Sequence, residues 1–212
     1  MKNNRLSYEQ ETLYNIFQSV GCMTYVQAKM ILTKFLRCSE NQADYIIHLF
    51  IKMRVIESTS ENEHGFLICG NRENHTSSGT DRDHVKALYY LIDHAESIED
   101  ILSAFNTSTP DVTLTFVLNG LCYEAIPLDG ESIYKANVAK RRYVSELSQL
   151  DIEKLGDNFS PFITVFMFKA SDDEKEVLEK MAALNLSMPH SVVFFKSSNV
   201  LEWMEYEEYE IQ

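Results

Sequence analysis

Apolar residues recur with a helical period in three successive stretches at the head of the chain: Leu13, Ile16, Phe17 and Val20; Ala28, Ile31, Leu32 and Phe35; Ala43, Ile46, Ile47, Phe50 and Ile51. An i, i+3, i+4 spacing gathers such residues into one stripe that turns toward a shared core. Each stretch opens on the same start signal, Ser7 with Gln10, Thr24 with Gln27, and Ser39 with Gln42. A hydroxyl followed three residues later by an amide satisfies backbone donors at a helix start reciprocally, so three capped helices are predicted. The period then changes. Val55 and Ile56 form a short apolar run, Ser58 to Gly65 is polar with a glycine end, and Phe66 to Cys69 is apolar again. This pattern predicts a small β-hairpin.

Asn71 to Asp83 holds no apolar residue and reads as a linker, which places a first domain over 1–70 and a second over 84–212. The second opens with a helical pattern through Val85, Leu88, Tyr89 and Ile92, then another through Ile98, Ile101, Leu102 and Phe105. These form two helices, or one broken near His94 to Ser97. Val112 to Leu118 and Leu121 to Ile126 are β-rich runs joined by Asn119-Gly120, the dipeptide that a type I′ hairpin turn demands. Asp129-Gly130 turns the chain into a mostly polar helical segment, Glu131 to Gln149, which carries the basic run Lys140-Arg141-Arg142. Phe162 to Phe168 and Ser191 to Phe195 are apolar without alternation, as strands buried on both faces are. Between them, Asp172 to Leu184 reads as a helix capped by Ser171 with acids in its first turn, giving a parallel crossover. The acidic, aromatic end, Glu202 to Gln212, is left as a docked helix or a tail. The fold class predicted is α+β: three helices and a hairpin, then an α/β sandwich with a mixed sheet.

A length of 212 residues fits two domains, and 45% hydrophobic with 11% aromatic residues is enough for a sizeable core. Charge sharpens the division. Met1 to His75 carries as many Lys and Arg as Asp and Glu, so the net −13 lies beyond it and would repel nucleic acid bound non-specifically. Cys22, Cys38, Cys69 and Cys122 lack metal-ligand spacing, and neither a secretory signal nor a membrane-length apolar run is present, so reduced thiols and a cytoplasmic location are expected. With seven glycines and no phosphate-binding or nucleophile motif, no cofactor is expected.

Three short helices followed by a hairpin resemble the winged-helix family of DNA-binding domains, over roughly the first third of the chain. The resemblance implies a third helix that enters the groove and a hairpin that acts as the wing. Asn41, Gln42, Tyr45, His48 and Lys52, with Arg54 at the helix end, would then face base edges and phosphates. Lys29, Lys34 and Arg37 would meet phosphates, while Glu40 and Asp44 have the wrong sign for that contact.

Pro110-Asp111 opening a strand and Glu124 on the next resemble the PD-(D/E)XK nuclease family, whose two acids bind a divalent metal. Ile126 stands where that family has its lysine. A winged helix joined to such a domain also resembles the replication-relaxation type of proteins of bacterial mobile elements, which implies a DNA-binding accessory or regulatory role. Three readings follow: a non-enzymatic double-stranded-DNA-binding protein whose second domain self-associates or meets a partner, a metal-dependent nuclease using Asp111 and Glu124, and a winged helix that binds protein.

Overall fold

The three start signals fold as helix caps. Ser7, Thr24 and Ser39 each accept the backbone N–H of Gln10, Gln27 and Gln42, and each of those amide oxygens accepts the cap residue's own N–H. They open α1 (Tyr8–Val20), α2 (Tyr25–Met30) and α3 (Glu40–Lys52). In this computed structural model the residues described are 6–59, 66–69, 78–149, 160–169, 172–195 and 203–207. The apolar stripes do what their spacing asks: Leu13, Ile16, Phe17, Ala28, Ile31, Leu32, Ala43, Ile47 and Phe50 are all fully buried. Ile51 and Phe35 are only half-buried, Phe35 at the end of a π-helical turn, Ile31–Phe35, that continues α2. There the Thr33 hydroxyl donates back to the carbonyl of Lys29 at 2.9 Å, a bond that competes with the regular ladder.

The hairpin forms as β2 (Ile56–Thr59) and β3 (Phe66–Cys69). A third strand, β1 (Cys22–Thr24), was too short to announce itself by period; it follows Gly21, whose positive φ of 85° turns the chain out of α1. The small antiparallel sheet runs β1-β3-β2, with Cys22 opposite Ile68 and Ile56 opposite Cys69.

The chain is a mixed α/β protein of two units, Met1–Asn106 and Thr107–Gln212. This corrects the expected boundary at residues 71–83. Residues 78–83 are the first turns of α4 (Ser78–His94), and both α4 and α5 (Ile98–Leu102) belong to the first unit. Side chains explain why. The Gln27 Nε2 donates to the carbonyl of Val85 at 2.7 Å, Thr24 and Tyr89 share a hydrogen bond between their hydroxyls at 3.1 Å, and Lys34 donates to the carbonyl of Ile92 at 2.7 Å. Asn106 closes the unit: its backbone N–H and its side-chain amide donate to the carbonyls of Ser19 and Val20, and its amide oxygen meets the His84 ring. Residues 71–77 lie outside the described residues. A run without apolar residues need not be a domain boundary.

In the second unit, β4 (Leu114–Leu118) and β5 (Leu121–Pro127) form the expected hairpin; Asn119 and Gly120, with φ of 51° and 78°, supply the two positive values of a type I′ turn. A short 3₁₀ turn leads into α6 (Ala136–Gln149), and β6 (Ile163–Phe168), α7 (Glu174–Ala183) and β7 (His190–Phe195) complete the expected parallel crossover. Strand β8 (Trp203–Glu207) pairs antiparallel with β7, so part of the acidic end is neither helix nor tail. The cap of α7 is Asp173, whose carboxylate accepts the N–H of Glu176; Ser171 lies outside the described residues. The five-stranded mixed sheet runs β4-β5-β6-β7-β8. On one face Ile126, Phe166 and Val192 cluster with Ala139 and Tyr143 of α6 and with Val177 and Met181 of α7. On the other, Phe116, Val165, Val193 and Phe195 are buried as well.

Gln27 is fully buried, and its one amide closes the α2 cap while tying α4 to it. Gln27→Ala leaves the N–H of Thr24 and the carbonyl of Val85 without that partner and is expected to cost about 2 kcal/mol. Chemical denaturation of the full chain checks this; a loss under about 0.5 kcal/mol, the range of an ordinary surface change, would contradict the linking role.

Candidate nucleic-acid interface

Helix α3 buries Ala43, Ile46, Ile47 and Phe50 and turns the opposite side outward. At 3.6 residues per turn, Asn41, Tyr45, His48 and Lys52 fall within one narrow arc, and all four are exposed. Tyr45 is the most open aromatic there, with 65% of its surface exposed. The His48 ring leans on Tyr25 of α2, with centroids 5.8 Å apart.

Arg37 and Arg54 bracket the helix in an unusual backbone state: each has φ of 57°, the left-handed region that favours glycine. At Arg54 the reason is the helix end itself. Its N–H donates to the carbonyl of Ile51 and that of Val55 to the carbonyl of Phe50, the paired bonds of a Schellman motif with Arg54 in the glycine position. Both arginines are exposed.

Three other residues expected at this surface already have intramolecular roles. Gln42 is the capping amide of α3, accepting from the N–H and the hydroxyl of Ser39 at 2.9 Å. Lys34 is anchored to the carbonyl of Ile92 and lies over the Phe35 ring, 4.8 Å from its centroid. Lys29 is held between two carboxylates of α3, 2.7 Å from Glu40 Oε2 and 3.1 Å from Asp44 Oδ1. The hydroxyl of Tyr25 donates to that same Asp44 at 2.7 Å. The hydrogen bonds to Glu40 and then Asp44 hold the Lys29 ammonium above its usual range, and those from Tyr25 and then Lys29 hold Asp44 below the usual carboxylate range. Burial, reinforced by the bond to Asp44, pushes the Tyr25 hydroxyl from 10.0 up to about 12. Sequence reading treated Glu40 and Asp44 as stray negative charge and passed over Tyr25, because no spacing rule links residues on two different helices.

In the second unit the two acids matched to the nuclease pattern are each engaged by a cation. Asp111, with φ of 66°, lies 3.0 Å from Lys135. Glu124, 8% exposed, is paired with Arg142 of α6, whose guanidinium also lies over the Phe162 ring. Burial raises the Glu124 carboxyl above its ordinary range, Arg142 opposing it. Register places Glu124 in a cross-sheet row with Thr115, Thr164 and His190. Two buried atoms near this pair, Arg142 Nε and Thr164 Oγ1, have no hydrogen-bond partner among the described residues. The basic run is dispersed: Lys140 donates to the carbonyl of Asn185, Arg142 serves Glu124, and Arg141 is exposed. Among the described residues no group of three or more His, Cys, Asp or Glu is placed to hold a metal ion, and no helix is long and apolar enough to cross a membrane. Cys22 is buried and Cys38 half-buried; the side chain of Cys69 lies outside those described.

The Tyr25 shift has a definite sign. A folded-state pKa raised above the unfolded one contributes stability that is complete below the unfolded value and is lost as pH climbs through the folded value. The parent is therefore expected to lose stability between about pH 10 and about 12 relative to Tyr25→Phe, with tyrosinate absorbance showing one late-titrating phenol that Tyr25→Phe lacks. A parent and variant with parallel alkaline profiles would contradict the Tyr25–Asp44 bond.

No protein-family model matches the chain, and no curated protein matches it. What it does is read from the site itself.

Proposed function

We propose that the first unit is a winged-helix module that binds double-stranded DNA, and that the protein is a non-enzymatic regulator or a replication or mobilisation accessory factor. The element order α1-β1-α2-α3-β2-β3, with a sheet running β1-β3-β2, supports this reading. In it α3 enters the major groove and the β2–β3 connection is the wing. The observation that carries it is the outer face of α3, where Asn41, Tyr45, His48 and Lys52 share one arc between two exposed arginines. Asn41 suits an adenine edge, and Lys52 a guanine edge or a phosphate. Arg37 and Arg54 suit phosphates on either side. An arginine kept where glycine would relieve strain points to a use for its charge rather than for the fold.

The second unit is read as a scaffold for self-association or a protein partner. Lys135 and Arg142 neutralise the two carboxylates that hydrolysis would need, and no hydrolytic step is assigned to them. Contact with protein through α3 is the second reading, favoured by one observation: Lys29, on the neighbouring helix, is already neutralised by α3's own acids.

Binding of the full chain to labelled duplexes, random and from its own upstream region, across a salt series separates these. Binding is expected to favour one sequence and to weaken as salt rises. Arg54→Gly is expected to reduce the slope of log K against log salt by about one and, by relieving the left-handed strain, to raise stability by up to about 1 kcal/mol. Unchanged affinity in Arg54→Gly and Lys52→Ala would move the contact away from α3.

A further inference from the structure

We infer that Lys29 is a phosphate-binding group masked by the protein's own carboxylates, and that Glu40 is the mask that DNA displaces. The inference rests on reading α3 as the DNA-facing helix. Lys29 lies on α2 with its ammonium 2.7 Å from Glu40 and 3.1 Å from Asp44, both on α3. Two carboxylate oxygens from different side chains thus flank one ammonium, much as the two free oxygens of a phosphodiester would.

The two acids are held differently. Asp44 is fixed by a second bond, from the Tyr25 hydroxyl at 2.7 Å, and its side chain is 36% exposed. No second partner of Glu40 is found among the described residues, and its side chain is 78% exposed. Glu40 therefore exchanges with solvent or with an incoming anion at little cost, while Asp44 keeps Lys29 in position. With Glu40 in place the Lys29–Glu40–Asp44 group carries a net negative charge and repels a phosphate backbone approached at random. When base contacts by Asn41, Tyr45 and His48 hold the duplex in register, a phosphate oxygen competes with Glu40 for the ammonium. The mask lowers affinity for all DNA and lowers it most where no base contacts compensate, so Glu40 acts as a specificity-determining residue without touching a base.

The test measures parent, Glu40→Gln, Lys29→Gln and the Glu40→Gln/Lys29→Gln double variant on a random duplex and on the best-bound duplex, with circular dichroism and thermal melting to verify the fold. Glu40→Gln is expected to raise random-duplex affinity by roughly fivefold to tenfold at about 0.1 M salt and to steepen the salt slope by about one, the value of one released counterion. Affinity for the preferred duplex is expected to rise less, and the gain is expected to vanish in the double variant. Two outcomes overturn the mask while leaving the DNA reading intact: parent binding that Glu40→Gln does not change, or a gain that survives in the double variant and so reflects net charge alone. Absence of DNA binding by both parent and Glu40→Gln overturns the mask and the DNA reading together.

Discussion

A buried amide satisfied at both ends sets the geometry on which the first unit depends. Gln27 accepts the N–H of Thr24 at 2.9 Å and donates to the carbonyl of Val85 at 2.7 Å. The first bond starts α2, and the second fixes α4 beside it. Thr24 repeats the arrangement with its hydroxyl, which serves the α2 cap and meets Tyr89 of α4. A cap exposed to water contributes stability locally; a cap that also binds a second helix makes the two elements cooperative. Helix α4, buried over Val85 and from Ala87 to Ile92, is therefore part of this unit's core.

The corner between α2 and α3 shows the opposite use of polar chemistry. Tyr25, Lys29, Glu40 and Asp44 meet at the surface, where ion pairs contribute little to folding, so their arrangement is more informative about what the surface repels and accepts. The glycine-favouring backbone of Arg37 and Arg54 fits the same account, since charge is kept at both ends of α3 against a local conformational preference. In the second unit one pair, Arg142 with Glu124, lies deeper. Removing Arg142 would leave Glu124 buried beside Thr164 without its counter-charge, a loss larger than that of a surface pair.

Most local signals were legible in the sequence, although the cap of α7 was read as Ser171 and is Asp173. The three capping boxes, the Asn119-Gly120 turn and the unalternating strands Phe162 to Phe168 and Ser191 to Phe195 each reflect chemistry confined to a few neighbouring residues. What failed were inferences about which elements share a core. The boundary was placed in a polar stretch, yet Val85, Tyr89 and Ile92 make their decisive bonds with residues at least 58 positions earlier. Strand β8 was missed because aromatic and acidic residues mix there, and its pairing with β7 supplies what its composition does not. Of the candidate interface, the exposed arc of Asn41, Tyr45, His48 and Lys52 followed from helical period alone. The engagement of Lys29 and Lys34 did not, because each is decided by a partner on another helix; the capping role of Gln42 was legible, but it competes with the groove contact assigned to the same amide.

The central claim is that the outer face of α3 is the surface that meets DNA. Backbone amide shifts of the isotopically labelled full chain, followed as duplex DNA is added, test it most directly. The largest changes are expected from Arg37 to Arg54, with smaller ones in β2 and β3. Changes confined to the Thr107–Gln212 unit, or none at low salt, would contradict it.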